Sequence, residues 1–148
     1  MKQEDKDLLL QDLCARLPYG VKVKVLIEEV EYDAVVHGVY ADETVFVEQS
    51  PEPNKVHRID IAHVSEVKPY LLPLSSMTKE QKREYHQSTS KDIDMLQDVI
   101  VERINGIDNT NKHAIAYNGI DWLNAHHFDY RGLIEKGLAI DATGLNIY

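Results

Sequence analysis

The sequence predicts an α+β fold: an N-terminal helix, a small five-stranded antiparallel barrel of the SH3-like or Sm-like kind, and a helical C-terminal part. Two changes in the spacing of the apolar residues indicate this order. Apolar residues recur every three or four positions over residues 4–17, and they then alternate in short segments over residues 21–72. After residue 78 the spacing becomes helical again.

The N-terminal helix is predicted over residues 4–17. Its apolar face consists of leucines at three- and four-residue spacing: Leu8, Leu9, Leu13 and Leu17. The sequence Pro18-Tyr19-Gly20 ends the helix. We expect Cys14, the only cysteine of the chain, to be a small buried side chain on this helix.

Five short strands are predicted next, from alternating apolar residues between turns. They cover residues 21–27, 30–40, 44–48, 56–61 and 67–72. Gly38 marks a bulge or a sharp bend in the second strand. A helix followed by five short, bent strands is the element order of a small SH3-like or Sm-like barrel. Such barrels serve many unrelated roles, so the fold alone predicts no activity.

The fourth and fifth strands carry two further expectations. His57, Ile59 and Ile61 alternate on one face of the fourth strand, which we expect to be the half-buried face, so that Arg58 and Asp60 face outward. Pro69 predicts that the fifth strand lies at an edge of the sheet. That edge, or the C-terminal residues 145–148, would permit a dimer through strand addition.

Two parts are predicted along the chain, residues 1–74 with the helix and the barrel and residues 75–148 as the α-rich C-terminal part. The linker Leu72-Pro73-Leu74-Ser75-Ser76 separates them. We expect the two parts to pack together as one unit.

The C-terminal part begins with a capping box, Thr78 followed by Gln81, which opens a helix to about residue 85. Asp129 is expected to cap a turn near the end of the chain. The remaining predicted segments are a helix over residues 91–104, a short strand over 114–117, a short helix over 121–127 and a strand over 137–140.

Composition narrows the class of protein. The net charge is −9, from 16 basic and 25 acidic residues, and no run of Lys or Arg is present, which argues against binding to nucleic-acid phosphates. The densest acidic stretch, residues 28–33, is interpreted as the solvated tip of a hairpin. A single cysteine forms no intramolecular disulfide, and the apolar runs are far shorter than the roughly 20 residues that span a bilayer. We therefore expect a cytoplasmic protein without a membrane partner.

The densest block of polar and aromatic side chains lies between Trp122 and Arg131. His126 and Asp129 are of the types that ligate zinc or iron, but no third ligand stands at a recognisable spacing. We interpret the block as mainly structural, and no metal or cofactor is predicted. His126 or His57 could serve a small hydrolase as a base oriented by an aspartate, but no nucleophile motif accompanies either histidine. No residue is therefore assigned a catalytic role.

Two stretches of the sequence form a recognisable pattern, residues 8–21 (LLLQDLCARLPYGV) and 121–139 (DWLNAHHFDYRGLIEKGLA), with VKPYL and SSMT between them. This pattern resembles a family of proteins from gut Bacteroidales genomes and their phages. The family carries no established activity, so no residue inherits a role from it. The resemblance implies an origin in a phage or mobile element and a bacterial host cell, and it favours binding over catalysis.

The leading interpretation is a non-catalytic binding protein that acts on a host protein, with residues 22–60 providing the recognition. The alternative is a protein that captures a small anionic ligand such as a nucleotide signal. Its candidate contacts are Arg58, His126, Tyr130 and Arg131. The third and weakest interpretation is the His/Asp hydrolase.

Overall fold

The structure is a computed structural model that describes residues 1–49, 58–88 and 119–148. Internal contacts divide the chain into two compact units. The first unit consists of Met1–Leu74 and His127–Tyr148, and the second of Ser75–His126. The predicted segments over residues 91–104 and 114–117 and the start of the predicted fourth strand, with His57, lie outside the described residues.

The N-terminal helix, α1, spans Gln3–Arg16 and is followed by a 3-10 turn. Gly20 closes this turn with a left-handed φ of 68°, a conformation that a residue without Cβ adopts at no steric cost. The predicted helix and its end are confirmed. Leu9 and Leu13 are fully buried on the inner face of α1.

The described strands form one sheet that is mostly antiparallel. The strands are β1 (Lys22–Ile27), β2 (Val30–Val39), β3 (Thr44–Gln49), β4 (Ile59–His63), β5 (Val67–Pro73), β6 (Phe128–Asp129) and β7 (Ile140–Asp141). Their order is β4-β3-β2-β1-β5-β6, with β7 also paired to β5. The α+β class is confirmed, and the register of β2 shifts between Val36 and Gly38, where the bulge was predicted.

The closed barrel of five strands is not confirmed. The hydrogen-bonded order of the described strands is open, and it includes two short strands, β6 and β7, beyond the five of the barrel. Both pair in parallel with β5, at Leu72–Phe128 and at Tyr70–Ile140. The prediction that β5 is an edge strand is therefore wrong. Pro69 is accommodated because the pairing with β7 begins only at Tyr70, one residue after the proline.

The core of the first unit lies between α1 and the inner face of the sheet. Valines from β1, β2 and β3 supply much of it, because alternate side chains of each strand point to that face. The fully buried valines of these three strands are Val23, Val25, Val45 and Val47. Leu133 and Leu138, from the turns between β6 and β7, complete the same cluster. The segment 127–148 thus contributes side chains to the core that α1 and the sheet enclose.

In the second unit, residues 79–88 and 119–125 are helical. The first helix opens on the predicted capping box, since Thr78 Oγ1 accepts from Gln81 N and the Gln81 side chain accepts from Thr78 N. Tyr85 and Trp122 pack edge to face, with ring centroids 5.5 Å apart. None of the helices in the described residues is long and apolar enough to span a membrane.

Candidate functional site

A buried ion pair links two turns of α1. Arg16 Nε donates to Asp12 Oδ2 at 2.7 Å and Arg16 Nη2 to Asp12 Oδ1 at 3.1 Å. Both side chains are completely shielded from solvent. Charged groups are almost never fully buried unless they are paired, and here the pairing is bidentate.

Tyr130 and Arg131 complete this group, which we call the arginine cluster (Asp12, Arg16, Tyr130 and Arg131). Arg131 Nε donates to the Tyr130 hydroxyl at 3.2 Å and lies 3.4 Å from Asp12 Oδ1. The guanidinium carbons of Arg16 and Arg131 lie 5.5 and 5.0 Å from the centre of the Tyr130 ring. Two guanidinium groups therefore share one carboxylate and one aromatic ring.

Hydrogen bonds hold the segment that carries Tyr130 and Arg131 in position. Arg16 Nη2 also donates to the carbonyl oxygen of Phe128 at 2.8 Å, which ties α1 to β6. The carboxylate of Asp129 accepts from the backbone N–H groups of Leu133 and Ile134 at 3.0 and 2.8 Å. The predicted capping role of Asp129 is confirmed, and the bonds shape the turn that carries Tyr130 and Arg131.

A groove of about 450 Å³ lies beside the arginine cluster, between α1 and the end of β2. We call it the Cys14 groove; it is lined by Leu10, Gln11, Cys14, Val39, Tyr40, Ala41 and Arg131. Cys14 is exposed in this groove, so the expectation that it is buried is wrong. The buried face of α1 consists of Leu9, Asp12, Leu13 and Arg16, and Cys14 lies off that face.

A second candidate surface lies on the outer face of β4. Ile59 and Ile61 are 59% and 64% exposed, and Ile61 pairs with Phe46 of β3 on the same face. We call Phe46, Ile59 and Ile61 the β4 face. In the described sheet β4 pairs with β3 alone, so it is an edge strand. Exposed apolar side chains beside a free strand edge are typical of surfaces that bind other chains.

The orientation predicted for β4 is inverted, because Ile59 and Ile61 face outward and Asp60 faces inward. Ala62, on the same face as Asp60, is buried in the core. Asp60 tolerates this position because three side chains donate to its carboxylate, Tyr32 and Gln49 at 3.1 Å each and Arg58 at 2.9 Å.

These bonds also change two pKa values. Burial by itself raises the pKa of Asp60, but the hydrogen bonds from Arg58 and Tyr32 outweigh this and hold the pKa below its usual range. Burial, followed by the hydrogen bond to Asp60, raises the pKa of Tyr32 to about 12. The Asp60 carboxylate is therefore a stable anion bound by its own neighbours rather than a free base.

Within the first unit, Arg58 and Arg131 line different cavities. Tyr130 and Arg131 meet in the arginine cluster. Arg58 is 73% exposed and lines a different cavity, of about 390 Å³, near Tyr32 and Asp60. His126 belongs to the second unit, where its ring stacks on Trp122 at 3.9 Å and its Nδ1 lies 2.8 Å from the Trp122 carbonyl oxygen.

The sequence interpretation missed Asp12 and Arg16. A signal for them exists, because Leu9, Asp12, Leu13 and Arg16 follow one another at the spacing of a single helix face. Two opposite charges four residues apart on the leucine face are spaced to form an ion pair, and the burial of that face makes it a buried one. Over the described ranges, no group of three or more His, Cys, Asp or Glu side chains is placed to hold a metal ion.

No protein-family model, curated protein or solved structure matches this chain. Residues 8–21 and residues 121–139 are in contact in the first unit through the arginine cluster. Asp12 and Arg16 come from the first stretch, and Phe128, Tyr130 and Arg131 from the second. The arginine cluster is therefore described from the contacts in this structure alone.

Proposed function

We propose that this protein is a non-catalytic binding protein that docks an extended apolar segment of a host protein on β4. The single observation that carries the proposal is the exposure of Ile59 and Ile61 on an edge strand. An added strand would satisfy the free backbone groups of β4, and its apolar side chains would cover the β4 face. The exposed Arg58 at one end of β4 adds a charged contact at the rim.

The origin of the protein, its compartment and its fold relationship belong to the same proposal. The resemblance supports an origin in a phage or mobile element and action in the cytoplasm of a bacterial host. The β4 face lies mostly within residues 22–60, the part of the chain in which the sequence interpretation places recognition. For the fold, we propose a relationship to SH3-like or Sm-like barrels, supported by the five successive short strands and the bulge in β2.

The proposal is tested with a photo-crosslinking side chain placed at position 61, and at position 26 as a matched control. Leu26 is also exposed, at 47%, but it lies on β1. In host lysate we expect a crosslink to one host protein from position 61 and none from position 26. The Ile59→Asp/Ile61→Asp variant should lose the partner, whereas Leu26→Asp should retain it.

Hydrogen exchange of the purified complex locates the contact. We expect slower exchange of the β4 amides in the complex, because an added strand would accept hydrogen bonds from those amides that β3 leaves free. A partner that still binds Ile59→Asp/Ile61→Asp, or a complex in which β4 exchange is unchanged, would refute the proposal.

The hydrolase interpretation gains no support from a specific contact. In the part of the chain that the structure describes, the ring of His126 makes its hydrogen bond to a backbone carbonyl oxygen rather than to an aspartate. His57 lies outside the described residues.

A further inference from the structure

We propose that the Cys14 groove binds a small organic carboxylate, whose carboxylate group is held by Arg131 and whose apolar body lies along Leu10, Val39 and Tyr40. This site is separate from the β4 face, and the inference does not depend on the proposed function. It rests on the charges of the arginine cluster, on the orientation of Arg131 and on the lining of the groove.

The arginine cluster has one more positive than negative charge. Both oxygens of the Asp12 carboxylate already accept from Arg16 at hydrogen-bond distance, whereas Arg131 Nε is 3.4 Å from the same group. Among the described residues, Arg131 makes its hydrogen bond through Nε, and the buried Nη1 of Arg16 has no hydrogen-bond partner. The Arg131 side chain is one quarter exposed, so its terminal nitrogens remain donors for a further acceptor.

The guanidinium of Arg131 is positioned before any ligand arrives. Its Nε donates to the Tyr130 hydroxyl, and its Cζ lies over the Tyr130 ring, 5.0 Å from the ring centre, as the Arg16 Cζ does at 5.5 Å. Three quarters of its side chain is shielded from solvent, and Arg131 is one of the residues that line the Cys14 groove. The two terminal nitrogens of a fixed guanidinium match the two oxygens of a carboxylate, and a fixed donor loses little entropy on binding.

The residues that line the Cys14 groove favour a ligand with an apolar body beside its carboxylate group. Its volume of about 450 Å³ falls in the range of small-molecule sites, and its lining combines the apolar side chains of Leu10, Val39 and Tyr40 with one cation, Arg131. A nucleotide carries several negative charges, which the net charge of −9 repels, and Arg58 is not available because it lines another cavity. A monoanion with an apolar body fits both the charge and the surface.

Ligand binding in the groove can be measured as protection of Cys14, the only cysteine of the chain, from alkylation. Iodoacetamide, which is neutral, alkylates the exposed Cys14 at a rate that is followed by mass spectrometry of the full chain. Benzoate is the probe, and benzamide, of the same shape without the charge, is its control. At a free benzoate concentration ten times its Kd, the rate should fall about tenfold, since only unliganded protein reacts. Benzamide and inorganic phosphate should leave the rate unchanged.

Two variants assign the effect to Arg131. Arg131→Gln should weaken benzoate protection by roughly tenfold or more, the size expected for a lost charge-assisted hydrogen bond. Arg83→Gln, which removes an exposed arginine that does not line the groove, should give the same benzoate protection as the native protein. Circular dichroism establishes that each variant is folded, and the comparison of benzoate with benzamide on the native protein needs no variant.

Each remaining outcome overturns the inference. Equal protection by benzamide would show that the groove binds apolar molecules without regard to charge. Protection by phosphate equal to that by benzoate would show an anion site with no apolar selectivity. No protection by benzoate, or unchanged protection in folded Arg131→Gln, would remove Arg131 as the carboxylate contact.

Discussion

The Asp12 carboxylate and the Arg16 guanidinium are joined by two hydrogen bonds of 2.7 and 3.1 Å, and neither side chain is exposed to solvent. Arg16 extends this pair to the carbonyl oxygen of Phe128, 112 residues further along the chain. The pair therefore connects α1 to the C-terminal segment of the first unit. Its loss is expected to affect the stability of that whole unit.

Replacing one partner of this pair should be severely destabilising. Asp12→Ala leaves the buried Arg16 guanidinium without its carboxylate, which is expected to cost about 3–5 kcal/mol. The measurement is urea unfolding followed by circular dichroism. The double variant Asp12→Leu/Arg16→Met removes both charges at similar volume and should be far closer to the native stability than either single variant. Additive losses in the double variant would contradict a coupled pair.

Tyr148 should make stability sensitive to alkaline pH. Its hydroxyl accepts from the backbone N–H of Lys22 at 3.1 Å and donates to the Tyr70 carbonyl oxygen at 2.9 Å. Burial raises the pKa of Tyr148 from 10.0 to about 12. Because the folded pKa exceeds the unfolded one, this stabilisation is complete below pH 10 and is lost as the pH rises through about 12.

The Tyr148→Phe variant tests this contact. At neutral pH it should lose about 1–2 kcal/mol, the usual net value of the hydrogen bonds removed. Its stability should also fall less steeply than that of the native protein between pH 10 and 12, with Tyr32 responsible for part of the remaining slope. Tyr19→Phe is the control, and an equal effect of both substitutions would argue against the specific role of Tyr148.

Glu43 should make stability sensitive to acid. Hydrogen bonds from Lys6 at 2.7 Å and Gln3 at 2.8 Å hold the pKa of Glu43 at about 2, and His63 Nε2 lies 2.8 Å from the same carboxylate. A lowered folded pKa means that the stabilisation is complete above the ordinary value of 4.5 and is lost as the pH falls through about 2. Glu43→Gln should weaken the dependence of the melting temperature on pH between about 2 and 4.5. Glu4→Gln, which changes an exposed glutamate, should leave that pH dependence as it is in the native protein.

Substitutions in the turn between β1 and β2 should increase the free energy of unfolding. Glu28 and Glu29 have φ of 48° and 67°, the left-handed region that a two-residue turn with two positive φ values demands. Glycine or asparagine occupies this region at lower cost than glutamate, so Glu28→Asn/Glu29→Gly should add about 1 kcal/mol or more in urea unfolding. Ala41→Gly, at a turn residue without a positive φ, should instead destabilise. A destabilised hairpin variant would mean that the glutamates make a contact worth more than the strain.

The candidate sites were only partly predictable, and the residues show why. Tyr130 and Arg131 stood out because polar and aromatic types are dense around them, but their partners Asp12 and Arg16 look like ordinary surface charges of a helix. A buried ion pair is recognised only when the face on which it lies is known to be covered. Nor did any local pattern place Arg58 and Arg131 in separate cavities, since this follows from the path of the whole chain.

Local spacing by itself predicted a helix over residues 4–17 close to the observed α1, strands close to β1, β2, β3 and β5, the bulge near Gly38 and the capping box at Thr78. These features follow from periods of 3.6 and two residues and from turn chemistry, which act over a few residues. Only the tertiary structure decided which face of β4 is buried, because alternation defines two faces and does not say which one meets the core. It also decided that β5 lies inside the sheet and that Arg16 meets Phe128, since both depend on residues far apart in the chain.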